Sequence, residues 1–260
     1  MQLKDKLVLV TGATGGIGRA LCTLLSAAGA RVVLNGLVPS QLDELRTQLG
    51  LQHQGVVADI STAAGREQLE RTCAQQGGLD VLINLAGILD SGMYLQQSEA
   101  SIARLMEVNA LAPMLLTRTL LPQLVRKPQA RIVNVGSTFG SIGHPGFATY
   151  CASKAAVKMF SEALARELAD TPVSVGYIAP RATNTPLNSS RVRLLNQALG
   201  NSTDTPETVA AAVFAMTVSE ERVRYLGWPE SLFVRINALL PSLVHNALVK
   251  KLSLIKEILG

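Results

Sequence analysis

The sequence predicts an α/β fold, in which a single domain spanning 1–260 is built on a doubly wound parallel sheet of about seven strands with helices on both faces. Short apolar runs alternate with helical patterns at roughly 25- to 45-residue intervals, as in parallel strands joined by crossover helices. Hydrophobic residues make up 48% of the chain and aromatic residues only 4%, which is typical of a buried, aliphatic parallel sheet. The 260 residues are enough for one large domain with a full core.

Six of the strands can be located as short apolar runs bounded by polar or turn-forming residues. They are predicted at 7–11, 31–35, 56–60, 81–84, 131–135 and 173–177. The helices show apolar residues at three- and four-residue spacing. After a first helix that ends at Gly29, helices are predicted at 39–49, 61–74, 99–121, 146–169 and 206–216. Ser61 is the expected N-cap of the helix over 61–74.

Two regions lie outside this pattern. The segment 181–205 is polar and has no clear period, which predicts a mobile substrate lid over the carboxyl ends of the strands. The tail, 228–260, is predicted to be helical because apolar residues recur at helical spacing between Leu243 and Leu259, flanked by lysines. Two interpretations of the tail stay open: helices packed on their own domain or on a partner subunit, and peripheral attachment to a membrane by a basic amphipathic helix.

Charge and cysteine content exclude several classes of protein. The net charge of +5 is spread along the chain rather than gathered in a patch with aromatic residues, so no nucleic-acid partner is expected. The three cysteines, Cys22, Cys73 and Cys151, lie far apart, which predicts reduced thiols and no metal site. Because no signal peptide and no apolar run of membrane-spanning length is visible, a cytoplasmic protein is expected, with contact to a membrane surface left open.

A glycine-rich turn follows the first strand and opens the first helix. Its spacing, G-x-x-x-G-x-G over 12–18, predicts a phosphate-binding turn, because glycines let the backbone approach a pyrophosphate at a helix N-terminus. After the second strand the chain reads Asn35-Gly36-Leu37, where a dinucleotide-binding protein would carry an acid for the ribose hydroxyls of NAD. No cation for the phosphate of NADP stands there either. The cofactor is therefore either NADP(H) or NAD(H), with a slight preference for NADP(H).

The strongest chemical signal is the pair Tyr150 and Lys154, which lie one helical turn apart. An ammonium so close to a phenol is expected to lower the tyrosine pKa from its reference of about 10, which makes the phenol a usable general acid or base. Ser137 follows the fifth strand, at the edge of a parallel sheet where ligands bind. By itself, this spacing more often marks a solvated helix face, so the interpretation depends on the motifs upstream.

Together these motifs resemble the short-chain dehydrogenase/reductase family. They are T-G-A-T-G-G-I-G at 11–18, A-D-I at 58–60, N-L-A-G at 84–87, V-N-A at 108–110, G-S at 136–137 and Y-C-A-S-K at 150–154. The similarity covers about 3–217, and the joint occurrence of the motifs in this order is highly specific. The resemblance implies a Rossmann-like fold and an NAD(P)-dependent oxidoreductase.

The resemblance also implies roles for individual residues. The cofactor set is Gly12, Thr14, Gly16, Ile17 and Gly18 at the pyrophosphate, Asp59 and Ile60 at the adenine, Asn84, Ala86 and Gly87 at a ribose, and Pro180, Thr183 and Thr185 at the carboxamide, with Tyr150 and Lys154 shared with the catalytic set. The catalytic set is Asn109, Ser137, Tyr150 and Lys154. In that set Asn109 would kink its helix and hold a proton-relay water, and Ser137 would orient the substrate oxygen. Tyr150 would be the acid/base, and Lys154 would hold the nicotinamide ribose.

The sequence departs from the family pattern at three places. Arg181 stands after Pro180 where the family has glycine, Leu85 replaces the second asparagine of the usual N-N-A-G, and the usual ending is replaced by the tail. Arg181 is expected to meet an anionic group or to close the lid. Because assembly in the family depends partly on the ending, a homo-oligomer (dimer or tetramer) is expected without a defined state.

The expected function is hydride transfer between a nicotinamide cofactor and an apolar alcohol or ketone, of lipid-like or acyl character, by a Ser-Tyr-Lys mechanism. The apolar tail is the reason for expecting an apolar substrate. One alternative is a 3-oxoacyl carrier-protein reductase, with Arg181, Arg191 and Arg193 near the entrance to meet an acidic carrier. The other is a catalytically idle dinucleotide-binding scaffold or sensor. The direction of the reaction and the true substrate are not given by the sequence.

Overall fold

A computed structural model describes residues 1–260 and contains one seven-stranded, all-parallel sheet with the order β3-β2-β1-β4-β5-β6-β7. The strands are β1 (Leu7–Val10), β2 (Arg31–Gly36), β3 (Gln54–Val57), β4 (Val81–Asn84), β5 (Ala130–Val135), β6 (Val173–Ala179) and β7 (Val223–Tyr225). The strand order reverses between β1 and β4, so a crevice opens there at the carboxyl ends of the strands. The predicted fold class is confirmed.

Helices cover both faces of the sheet. They are α1 (Gly16–Ala27), α2 (Pro39–Leu49), α3 (Ala63–Gln75), α4 (Glu99–Met106), α5 (Ala112–Leu124), α6 (Ala148–Glu167), α7 (Ser190–Ala198), α8 (Pro206–Val218), α9 (Glu230–Leu239), α10 (Pro241–Val249) and α11 (Leu252–Leu259). Successive side chains of β1 point to opposite faces: Val8 and Val10 pack in the core that holds α1 and α8, whereas Leu7 and Leu9 pack in the core under α3 and α5. Because both faces of β1 are covered, all four residues are buried.

Several predicted boundaries shift for local reasons. The third strand ends at Val57 rather than at 60, because the chain turns where Asp59 accepts hydrogen bonds from the backbone and hydroxyl of Ser61. Ser61 is therefore engaged, and the predicted N-cap at Ser61 is wrong: Thr62 caps α3 by accepting from the N–H of Gly65 at 3.0 Å.

The long helix predicted over 99–121 is interrupted. A π-helical turn over Glu107–Leu111 separates α4 from α5 and contains Asn109. The lid segment also holds more structure than its sequence suggests, since α7 lies within it, capped by the Ser189 hydroxyl. The helix was not predicted because most residues of the lid are polar. Only two residues of α7, Val192 and Leu195, are buried against the domain.

The tail packs partly on its own domain. Ile255 and Leu259 of α11 are fully buried in a cluster with Phe147 and Cys151, which adjoin Tyr150. In contrast, the junction of α9 and α10 leaves apolar side chains in solvent, with Leu239 80% exposed. No single helix meets the length and hydropathy of a membrane span; α9 and α10 meet them only as a pair, bent by 118°.

Candidate active site

A cavity of about 510 Å³ lies at the carboxyl edge of the sheet, between the strand ends, the lid and the tail. Most of its wall is apolar, with contributions from Phe139 and Phe147 on the domain and from Val244 and Leu248 on α10. The predicted residues Ile17, Gly87, Ser137, Tyr150, Lys154, Pro180, Thr183 and Thr185 all line this cavity. The fold therefore brings the predicted catalytic hydroxyl, phenol and ammonium into one largely apolar chamber.

Tyr150 lies in the first turn of α6, with its ring edge-on to Phe139 at 6.4 Å between ring centroids. Burial raises the pKa of Tyr150 to about 12, and a side-chain interaction with the Ser137 hydroxyl only partly opposes this shift. The predicted lowering of this pKa by Lys154 is therefore wrong for the protein without a cofactor. The loss of hydration around the phenolate is the largest cause of the shift and Lys154 does not offset it, so the phenol keeps its proton at neutral pH.

Lys154 is buried one turn along α6, with Nζ 5.8 Å from the centroid of the Tyr150 ring. Its ammonium donates a hydrogen bond to the carbonyl oxygen of Val135, the last residue of β5, at 3.2 Å. Burial lowers the pKa of Lys154 to about 8. A buried ammonium with one carbonyl partner has unused donor capacity, which hydroxyl groups of a ligand in the cavity would satisfy.

Ser137 follows β5 and is held by its backbone and its side chain. Its hydroxyl accepts a hydrogen bond from the N–H of Phe139 at 3.2 Å, and its carbonyl accepts one from the hydroxyl of Tyr177 at 3.2 Å. Tyr177 lies so close to Gly136 that a Cβ there would come within 2.3 Å of the ring. Tyr177 positions Ser137, a role that no sequence pattern indicates because Tyr177 has the pattern of an ordinary strand residue.

Asn109 is fully buried in the π-helical turn, as expected for a residue that distorts its helix. Its side-chain amide forms two hydrogen bonds with the backbone of Ile88. It donates to the carbonyl at 2.9 Å and accepts from the N–H at 2.8 Å. It also donates to Ser153, whose hydroxyl donates to the carbonyl of Tyr150. Asn109 thus joins the segment after β4 to the first turn of α6, and its role in holding a water stays a prediction.

The glycine-rich turn has no room for a side chain at Gly18. A Cβ on Gly18 would lie 2.2 Å from the carbonyl oxygen of Gly12 and 2.7 Å from that of Ala13. Gly12 itself has φ +68°, in the region that favours glycine. No side chain caps the N-terminus of α1 at Gly15, so its first N–H groups stay available to an anionic ligand. The turn therefore fits the pyrophosphate of a dinucleotide.

Two of the predicted cofactor residues are engaged elsewhere. Asn84 is buried and donates to Asn134 and Thr117 beneath the sheet, so its side chain does not reach the cavity. At Asp59, burial disfavours the carboxylate, but hydrogen bonds from Ser61 and Arg104 outweigh it and lower the pKa. Asp59 acts in the structure as a strand-end turn residue, and its contact with the adenine stays a prediction. Ile60 is buried in the core beneath it.

The lid is fastened to the tail through Arg181. Its guanidinium pairs with Asp204 at 2.8 Å and with Glu230, at the start of α9, at 3.1 Å. These two carboxylates raise the pKa of Arg181. Both carboxylates occupy the cation, so Arg181 joins the lid segment to the tail, and its part in closing the lid stays a prediction. Arg191 likewise donates to the carbonyls of Ile258 and Gly260. Arg193 donates to the carbonyl of Asn188.

The end of β2, where the adenosine ribose of a dinucleotide would bind, offers few charged groups. Asn35 is buried and donates to the carbonyls of Val56 and Ala58, while Leu37 is 61% exposed. Arg19 is the nearest cation to the glycine-rich turn: it donates to the carbonyl of Thr14 at 3.1 Å and pairs with Glu44 at 3.1 Å. A Cβ on Gly36 would lie 3.1 Å from the Thr14 hydroxyl, so Gly36 lies beside Thr14, whose carbonyl Arg19 contacts.

Cys151, the thiol next to Tyr150, is not free to act as a nucleophile. It is buried, accepts a hydrogen bond from the N–H of His144 at 3.4 Å and lies against the tail. Burial raises its pKa, which disfavours the reactive thiolate. The interpretation of Cys151 as an inert, packed thiol agrees with this environment.

Comparison with known proteins gives consistent matches. The model of a family described as short chain dehydrogenase matches residues 6–194. Nodulation protein G of Rhizobium meliloti is 38% identical over 180 residues, which cover 69% of this chain and 74% of that protein. A 3-oxoacyl-[acyl-carrier-protein] reductase of Vibrio cholerae is 32% identical over 219 residues, which cover 82% and 90%. The crystal structure of a 3-ketoacyl-(acyl-carrier-protein) reductase from Brucella melitensis complexed with NADH has a TM-score of 0.81 at 26% identity, covering 88% of this chain and 99% of that one.

Proposed function

Because the chain belongs to the short chain dehydrogenase family, whose members are oxidoreductases acting on CH–OH and C=O groups, we propose that it exchanges a hydride between a nicotinamide cofactor and an apolar alcohol or ketone. The observation that carries the proposal is the placing of Ser137, Tyr150 and Lys154 in one mainly apolar cavity. The lid over 181–205 and the tail over 228–260 complete the walls of that cavity, which gives each a part in binding the substrate.

The residues of the site divide the chemistry between them. When bound, a nicotinamide cofactor would supply or accept the hydride; the glycine-rich turn would hold its pyrophosphate and Lys154 its ribose hydroxyls. Tyr150, protonated at neutral pH, gives its proton to the carbonyl oxygen of a ketone. The Ser137 hydroxyl donates a hydrogen bond to the same oxygen as negative charge develops on it. The apolar wall excludes water and holds the substrate chain in position.

A panel of carbonyl compounds tests this function against its alternatives. We expect steady-state oxidation of NADH or NADPH with ketones and aldehydes that carry alkyl chains of about eight carbons or more, with kcat/KM rising with chain length as apolar area is buried. A 3-oxoacyl thioester would be compared with and without its carrier protein. Cofactor binding without oxidation by any carbonyl compound would contradict the proposal and favour the scaffold interpretation.

The second candidate is a 3-oxoacyl carrier-protein reductase. It is favoured by the relative from Vibrio cholerae, which matches 82% of this chain. The pairing of Arg181 with Asp204 and Glu230 weakens it, since that cation is not available to an acidic carrier. In the panel, a carrier-linked thioester that is reduced far faster than the same thioester without carrier would establish this candidate. Equal rates would favour the apolar alcohol or ketone.

The proposed cofactor preference is for NADP(H). No carboxylate stands at Gly36 to repel the extra phosphate, and Arg19 contacts the carbonyl of Thr14, which lies beside Gly36. We expect NADPH to bind more tightly than NADH, and Arg19→Ala to weaken NADPH binding by about tenfold, the effect of one charge-assisted hydrogen bond. Fluorescence titration with both cofactors measures this, and NADH binding is the internal control. Tighter binding of NADH by the wild-type protein would refute the preference.

We also propose that the junction of α9 and α10 touches a membrane surface. Phe233 and Leu243 line the cavity yet are 46% and 58% exposed, so the opening of the cavity lies beside the exposed Leu239 and Leu240. The chain from 230 to 260 carries four lysine or arginine residues and two glutamates, a balance that suits anionic lipid headgroups. An apolar substrate would then enter directly from the bilayer.

The membrane contact is tested by sedimentation with vesicles of phosphatidylcholine containing about one third phosphatidylglycerol. The double variant Leu239→Ser/Leu240→Ser is expected to lower partitioning by about tenfold, because both side chains lose their apolar burial in the bilayer. Leu51→Ser is the matched control, since Leu51 is 78% exposed in the turn between α2 and β3, outside the tail. Equal partitioning of the double variant and the wild type would exclude this contact. The homo-oligomeric state stays a separate prediction.

A further inference from the structure

His144 lies on the loop between Ser137 and Tyr150, and its ring forms part of the cavity wall. The imidazole stacks on Phe139 at 5.0 Å between ring centroids and meets Phe147 edge-on at 5.5 Å. Only 9% of the residue is exposed. Its backbone is fixed as well, since the N–H donates to the sulfur of Cys151 at the start of α6. The ring is therefore a buried polar group held rigidly in an otherwise apolar wall.

The hydrogen bonds of His144 determine which ring nitrogen carries the proton. Nδ1 lies 2.8 Å from the carbonyl oxygen of Pro145, and a carbonyl oxygen can only accept, so Nδ1 carries the proton. Burial lowers the pKa of His144, and the nearby Lys251 lowers it further, which keeps the ring neutral. Nε2 is then an unprotonated acceptor without a protein partner, on a residue that lines the cavity.

We propose that His144 is a specificity-determining residue whose Nε2 accepts a hydrogen bond from a hydroxyl or N–H group on the substrate, at a distance from the reacting carbonyl. The inference deepens the proposed function and rests on it for the identity of the cavity as the substrate site. An acceptor left unpaired in an apolar wall disfavours any ligand that displaces water from it without replacing the hydrogen bond. Sites that bond a substrate hydroxyl discriminate strongly against analogues lacking it. The substrate class is thus an apolar carbonyl compound with a second, hydrogen-donating polar group.

The test is a binding comparison that needs no turnover. The probes are 1-decanol, which donates a hydrogen bond, and its methyl ether, which does not. Their affinities for the full chain are measured by calorimetry for the wild type, His144→Leu and His144→Gln. We expect the preference for the alcohol over the ether to fall by about tenfold in His144→Leu, the usual effect of one hydrogen bond. In His144→Gln, whose amide oxygen can accept, much of the preference should return.

Two controls separate this role from a structural one. His245→Leu makes the same change at an exposed histidine of α10 and should leave the preference unchanged. Because alcohols also bond to Ser137, only the difference between the wild type and His144→Leu is assigned to His144. The ¹⁵N chemical shift of Nε2 in the wild type should respond to the alcohol and not to the ether. An unchanged preference in His144→Leu, or binding of neither probe, would overturn the proposal, whether or not hydride transfer to ketones is observed.

Discussion

Replacing Tyr150 by phenylalanine is expected to lower kcat by about 10³-fold or more, the upper part of the range for loss of general acid–base catalysis. The change removes only the hydroxyl. The ring keeps its edge-on contact with Phe139 and its place in the first turn of α6, so the cavity stays intact. Since no residue of the glycine-rich turn is affected, dinucleotide affinity should stay within about threefold of the wild type.

The matched control is Tyr225→Phe. The Tyr225 hydroxyl bonds to Ser141 at 3.0 Å and belongs to a phenol that does not line the cavity. Its loss is expected to change kcat by less than about threefold, because it removes one partly buried hydrogen bond remote from the reacting atoms. A Tyr150→Phe variant that keeps more than about a tenth of wild-type turnover would show that another group supplies the proton.

Replacing Gly18 by alanine is expected to weaken dinucleotide binding by about 100-fold or more and to lower the free energy of unfolding by about 2 kcal/mol. The new Cβ would lie 2.2 Å from the carbonyl oxygen of Gly12, an approach that backbone atoms cannot absorb without moving. Movement of the turn displaces the N–H groups at the start of α1 that would meet the pyrophosphate. Cofactor titration and thermal unfolding measure the two effects separately.

Gly15→Ala is the control for this variant, because it adds the same methyl group three residues earlier, at the N-cap of α1. At Gly15 the Cβ would be 3.4 Å from the same oxygen, an ordinary contact, and φ is −72°, which alanine adopts freely. We expect a loss of stability below about 1 kcal/mol and little change in cofactor affinity. Equal effects of the two substitutions would mean that the tight fold of the turn is not what holds the cofactor.

Much of the site could be predicted because its signals are local in sequence. Tyr150 and Lys154 are one helical turn apart, and the glycines of the first turn follow directly on an apolar strand. The resemblance to the family predicts a distorted helix at Asn109, and the π-helical turn is found there. Residues whose role depends on distant contacts gave no such signal. Tyr177 reaches Ser137 across 40 positions, and His144 joins a cavity wall that also contains Val244 and Leu248 of the tail.

The incorrect expectation for the pKa of Tyr150 and the question left open for the tail have the same origin. A lysine one turn from a tyrosine predicts a lowered tyrosine pKa only if both groups stay hydrated, and the fold buries them together. An apolar stripe is expected of the tail whether it packs on its own domain, on a partner subunit or on a membrane. The sequence therefore could not distinguish these interpretations. In the structure α11 packs on its own domain, where Ile255 and Leu259 lie in one cluster with Phe147.

The most direct test of the central claim is isotope transfer from NADPH or NADH deuterated at the nicotinamide C4, with an apolar ketone such as 2-decanone as the substrate. Mass spectrometry of the alcohol locates the deuterium. The proposed arrangement predicts one deuterium on the carbinol carbon, from one face of the nicotinamide only, with a rate that disappears in Tyr150→Phe. An alcohol without deuterium, or the same transfer rate without the Tyr150 hydroxyl, would contradict it.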